Sequence, residues 1–157
     1  MKYFTKDWYE RMQQMGNCGS QEEWERMRPE IEAPVDAYHA YIERENLTAI
    51  DRQLNFHDCR VLHARRNGND FCLFLDYDVV IPVVLLRCVD AQILGQELSE
   101  APNAYYVWLY HEIHLTPTGY ELQILLAANG GPYEWSIRCA RIERIEMPQP
   151  DDNSTSF

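Results

Sequence analysis

The apolar repeat of this chain changes near residue 55, and that change limits the fold more than any motif does. Over residues 1–54 the large apolar side chains recur every three or four positions, the spacing that gathers them on one face of a helix. Thr5 suits an N-cap, and Trp8, Met12 and Met15 follow as one stripe. Gly16-Asn17-Cys18-Gly19 should stop that helix. Ser20-Gln21-Glu22-Glu23 reads as a capping box opening a second helix lined by Trp24, Met27 and Ile31. Pro29 should kink or end it. Pro34 fits the first turn of a third helix, whose stripe is Val35, Tyr38, Tyr41 and Ile42. A short helical stretch over 48–54 follows.

From Phe56 onward the period is two. Asn67-Gly68 is a strong hairpin signal joining 57–65 to 70–77. A two-residue loop there pairs His63 with Cys72. A one-residue shift instead pairs Arg60 with Asp76 and gathers Val61, His63, Leu73 and Leu75 on one face. The shifted register is preferred for its apolar face and its charge pair. Residues 79–89 are apolar on both faces and predict a central strand, with Pro82 near its start or at a bulge. Residues 91–97 lead into a loop over 99–103.

Thr116-Pro117-Thr118-Gly119 predicts a second hairpin. Pairing Leu115 with Tyr120 sets Ile113 opposite Leu122, His111 opposite Ile124 and Leu109 opposite Leu126. The other face then carries Tyr106, Trp108, Tyr110, Glu112 and His114, with His114 opposite Glu121. A last strand over 133–145 holds Tyr133, Trp135, Ile137 and Cys139 on one face before its phase slips toward Ile142 and Ile145, which implies a bulge. The expected fold is α+β: N-terminal helices packed on a single antiparallel, meander-like sheet of about five or six strands. One domain spans 1–146, helical over 1–54 and β over 55–146. A polar, proline-containing tail, expected to be mobile, occupies 147–157.

The formal charge of -11 disfavours nucleic acid as a direct ligand and suits a basic protein partner. The start of the chain lacks the apolar core of a signal peptide, and the longest apolar run, 79–86, is too short to span a bilayer. Neither a secretory nor a membrane protein is expected. Five cysteines without a C-x-x-C pair read as reduced thiols in a cytoplasm.

Several stretches are familiar. Met1-Lys2-Tyr3-Phe4-Thr5-Lys6-Asp7-Trp8-Tyr9 resembles the opening of a family of uncharacterised bacterial proteins built on a domain of unknown function. Phe56-His57-Asp58-Cys59-Arg60-Val61 resembles its middle motif. Ile93-Leu94-Gly95-Gln96-Glu97, Trp108-Leu109-Tyr110-His111-Glu112-Ile113 and Gly119-Tyr120-Glu121-Leu122 look like its later strands. The resemblance implies a bacterial cytoplasmic protein and transfers no functional residue.

Few groups suggest catalysis. His111-Glu112-Ile113-His114 is one residue short of H-E-x-x-H, and on a strand its histidines point to opposite faces. His57-Asp58, with Asp76 and Asp78 at the far end of the hairpin, forms at most a loose carboxylate cluster. There is no nucleophile elbow and no glycine-rich phosphate loop, and neither a metal nor a cofactor is expected. The Tyr106, Trp108, Tyr110 stripe edged by Glu112 and His114 is the best candidate binding surface if it is exposed. Otherwise the helices cover it. The leading expectation is a non-enzymatic, masking or immunity-like protein. The alternatives are a metal-dependent hydrolase using His57, Asp58 and Asp76, and a small-ligand carrier with a pocket between helices and sheet.

Overall fold

The structure is a computed structural model describing residues 1–77, 81, 83–98 and 105–147. Three helices precede an antiparallel sheet: α1 (Lys6–Gly16), α2 (Gln21–Arg44) and α3 (Thr48–Gln53). The Thr5 hydroxyl accepts the Trp8 N–H, and Ser20 accepts the Glu23 N–H, so both expected caps are present. The proline expectations are corrected. Pro29 and Pro34 both lie inside α2, which runs unbroken to Arg44. Its buried stripe of Met27, Ile31, Tyr38 and Ile42 holds the helix against the protein across both missing hydrogen bonds.

The strands are β1 (Arg60–Asn67), β2 (Asp70–Asp76), β3 (Val83–Val89), β4 (Gln92–Leu94), β5 (Tyr106–Thr116), β6 (Gly119–Ala128), β7 (Gly131–Cys139) and β8 (Arg141–Met147). Among the described residues the sheet thus has eight strands, not five or six. The expected last strand is divided by a bend at Ala140, and the stretch expected to lead into a loop carries a short strand, β4, just past a bend at Asp90–Ala91. The spatial order is β4-β7-β6-β5-β1-β2-β3-β8. Pairing passes across the bends without a register shift: Val89 faces Arg141, and three residues further along each strand Gln92 faces Arg138. Because β4 continues β3 and β8 continues β7, the two ends of the order meet, and the sheet curls around its own core. Leu73, Leu75, Leu86, Ile113, Leu122, Ile124, Leu126, Trp108 and Trp135 fill it, all nearly inaccessible. The helices pack on the outside of β5–β7 and at the edge of β5.

Registers agree with expectation in part. Leu115 faces Tyr120, Ile113 faces Leu122, and His111 faces Ile124. Leu109 does not face Leu126, because a bulge between Trp108 and Tyr110 puts Trp108 there. In the first hairpin Arg60 faces Asp76, but the register shifts between Val61 and His63, so His63 faces Phe74 and lies exposed. The turn is Gly68-Asn69, with Gly68 at φ 61. Asp78, Val79, Pro82, the loop over 99–103 and the tail over 148–157 fall outside the described residues.

Candidate functional site

The five residues of the aromatic stripe do not form one exposed surface. Trp108 is 0% exposed and packs inside the curled sheet against Phe56, ring centroids 5.2 Å apart. Tyr110 points outward and is covered by Phe4, Trp8 and Tyr9. Glu112 is fully buried. Its carboxylate accepts the backbone N–H groups of Lys2 (2.9 Å), Tyr3 (2.7 Å) and Phe4 (2.6 Å), and His114 Nε2 lies 3.0 Å away. Burial pushes the Glu112 carboxyl up, but His114 and the three N–H donors outweigh it and hold the group below the usual range. His114 packs against the rings of Tyr3 and Tyr41, which also touch each other. It faces Glu121 in register but bonds Glu112, while Glu121 takes Arg138. These groups fasten the N-terminal segment to the sheet. Tyr106, half-buried, belongs to a different place, a cavity at the rim of the sheet.

The edge of β5 explains a second network. Beyond Val107, β5 has no strand partner on its β1 side among the described residues. Tyr38 and Tyr41, one turn apart on α2, stand in for one. The Tyr38 hydroxyl accepts the Ile113 N–H at 3.0 Å, and the Tyr41 hydroxyl accepts the Leu115 N–H at 3.2 Å. Tyr38 in turn donates to Asp51 Oδ1 at 2.6 Å, and His111 Nε2 lies 3.1 Å from the same oxygen. Burial raises the Asp51 carboxyl, but the bonds from His111 and Tyr38 prevail and lower it. Burial, then Asp51, drive the Tyr38 hydroxyl well above its ordinary value. The network joins α2, α3 and β5. No sequence spacing announced it, because Tyr38, Asp51 and His111 come from three separate elements.

The alternative group disperses. His57 Nδ1 lies 3.1 Å from Asp58, both well exposed, and the His57 ring rests edge-on against Tyr110. Asp76 is held by the Arg60 guanidinium. Among the described residues, no three His, Cys, Asp or Glu side chains are arranged to hold a metal ion.

Two surface features bear on binding. A groove of about 490 Å³ runs along the outer face of α2 and is lined by Glu25, Arg28, Pro29, Glu32, Ala33 and Asp36. Arg28, the one cation among its described lining residues, is bound to Glu32 at 2.6 Å and lies over the Trp24 ring. The groove thus presents three carboxylates, of which Glu32 is bound to Arg28 and Glu25 accepts from Gln21 Nε2 at 3.0 Å. The acids fall at Glu25, Glu32 and Asp36, spacing that places them on one helical face. That signal was readable in the sequence and was missed. The second feature is the rim cavity, about 240 Å³, between Tyr106 and Tyr133 beside Glu97. It lies at the end of the sheet, not between helices and sheet.

No helix among the described residues is long and apolar enough to cross a membrane. No protein-family model, curated protein or solved structure matches the chain.

Proposed function

We propose that the protein is a non-enzymatic binding protein that masks a basic protein partner, with the α2 groove as its acidic contact. The observation that carries this reading is the groove's charge balance: three carboxylates against one arginine among its described lining residues, and that arginine is already paired within the groove. Such a surface accepts hydrogen bonds and repels anions, so its complement is a run of Lys or Arg side chains. The net charge of -11 would steer such a partner toward it. The placement of two carboxylates favours binding over catalysis, because the buried Glu112 is engaged in fastening the N-terminal segment and the partly buried Asp51 in joining α2 to β5.

The test is affinity capture from cells expressing this chain with its neighbouring genes, followed by association kinetics on what is recovered. A basic partner whose on-rate falls with salt is expected, because exposed charges are screened beyond ~10 Å at 0.1 M salt. Joint reversal, Glu25→Lys with Asp36→Lys, should weaken binding at least ~10-fold and flatten the salt dependence. Recovery of no partner, or a partner indifferent to the reversal, would sink the proposal.

A further inference from the structure

We infer that the rim cavity between Tyr106 and Tyr133 is a socket for an organic cation, a guanidinium or alkylammonium head group. It lies away from the α2 groove and does not depend on a masking role.

The cavity forms where the curled sheet ends. Tyr106 faces Ala128 and Tyr133 faces Leu126 across the β5–β6 and β6–β7 ladders. Trp108 also faces Leu126, so both tyrosines stand on the inward side, each two residues along its own strand from a buried tryptophan, Tyr106 from Trp108 and Tyr133 from Trp135. The core is closed beneath them, and a cavity remains at the rim among the described residues. Gly131, at φ 108, and Pro132 form one wall, where the β6–β7 hairpin begins its return. Gln96 and Glu97, just past β4, form the opposite wall.

The lining selects the ligand. Two electron-rich phenol rings and a carboxylate surround the space, and no Lys, Arg or His is among its described lining residues. A cation over a tyrosine face is attracted by the ring quadrupole, and a neighbouring carboxylate adds to that attraction. An anion would meet Glu97 and the field of a strongly acidic protein. Glu97 is not consumed by its present bond: Arg66, which is not among the cavity's described lining residues, reaches it at 2.8 Å, and the Glu97 side chain stays 57% exposed. Size narrows the class further. About 240 Å³ is below the roughly 300–1,000 Å³ of sites that enclose drug-sized ligands, so a head group fits and a large cofactor does not. Mouths of curled sheets are a recurrent place for such sites.

The head group could arrive on a free amine or on an arginine side chain, and one titration separates these. Backbone-amide and tyrosine-ring NMR shifts would be followed with butylguanidinium, with its neutral isostere butylurea, and with the blocked peptide acetyl-Gly-Arg-Gly-amide. Butylguanidinium should shift the amides of Gln96, Glu97, Gly131 and Tyr133, and butylurea should not. Tyr133→Leu and Tyr106→Leu should each weaken binding roughly fivefold or more, the contribution of one ring. Should either leucine variant fail to fold, Glu97→Gln alters only an exposed side chain and should still weaken binding roughly threefold. Tighter binding of the peptide names a polypeptide source, and tighter binding of butylguanidinium names a free cation. The socket is overturned by equal response to butylurea, by shifts confined to α2, or by variants that fold normally and bind unchanged.

Discussion

Trp108 and Tyr110, two residues apart on one strand, point to opposite sides of the sheet. A regular strand would put them on one face. The bulge between them pairs Trp108 with Leu126 and Tyr110 with Leu125, so the indole enters the core beside Phe56 and the phenol meets Trp8 under α1. One strand thereby serves both the inner core and the helix-packed outer face.

Trp108→Ala should therefore act on stability. Removing a fully buried indole should cost about 3–5 kcal/mol, seen as a lowered urea midpoint with little change in slope. A variant as stable as the parent would contradict the inward placement.

Glu112→Gln should loosen the N-terminal segment. It replaces a buried carboxylate accepting three backbone N–H groups with an amide, and should destabilise by about 3–5 kcal/mol. The parent should also show the matching pH dependence. The folded carboxyl is held below its ordinary 4.5, so its contribution is complete above that value and is lost as pH falls through the folded pKa. Thermal melts from pH 7 to pH 3 should show this acid loss, and Glu112→Gln should reduce it. Equal acid sensitivity in both proteins would count against the clamp.

Tyr38→Phe and His111→Ala should not be additive. Both groups meet at Asp51 Oδ1, so a double-mutant cycle should give a coupling of about 0.5–3 kcal/mol. A coupling near zero would mean that the two side chains hold Asp51 independently.

Gly119→Ala should be poorly tolerated. At φ 149 a Cβ would stand 2.2 Å from the Cys139 carbonyl oxygen and 2.7 Å from the Ala140 Cα, both backbone atoms. The turn would have to lift off the bend joining β7 to β8, at a cost of about 2 kcal/mol or more. A melting temperature within a degree of the parent would refute that close approach.

Of the five thiols, Cys18 should react promptly with a disulfide reagent. Cys59, Cys72, Cys88 and Cys139 are buried and should react only on unfolding. The Cys88 thiol is also driven up by its hydrogen bond with Cys139 and by burial. Rapid modification of more than one thiol in the native protein would show that the core opens.

Local rules account for what the sequence alone determined. Thr5 and Ser20 could be assigned as caps because their partners lie three residues away. The Ile113–Leu122 pair followed from a turn only a few residues distant. Where distant groups decide, the sequence was silent or misleading. Pro34 reads as a helix start, yet packing of Ile31 and Tyr38 carries α2 through it. His114 reads as a partner for Glu121, yet the N-terminal segment brings it to Glu112. Period two put Trp108 and Tyr110 on one face, and the bulge, which fits the strand to a curled core, separated them. Eight strands arose, not five or six, because the last run bends at Ala140 and β4 forms just past the bend at Asp90–Ala91, where the sheet closes on itself. Periodicity and caps are set by neighbours along the chain. Curvature, edge capping by Tyr38 and Tyr41, and the rim between Tyr106 and Tyr133 depend on residues that only folding brings together.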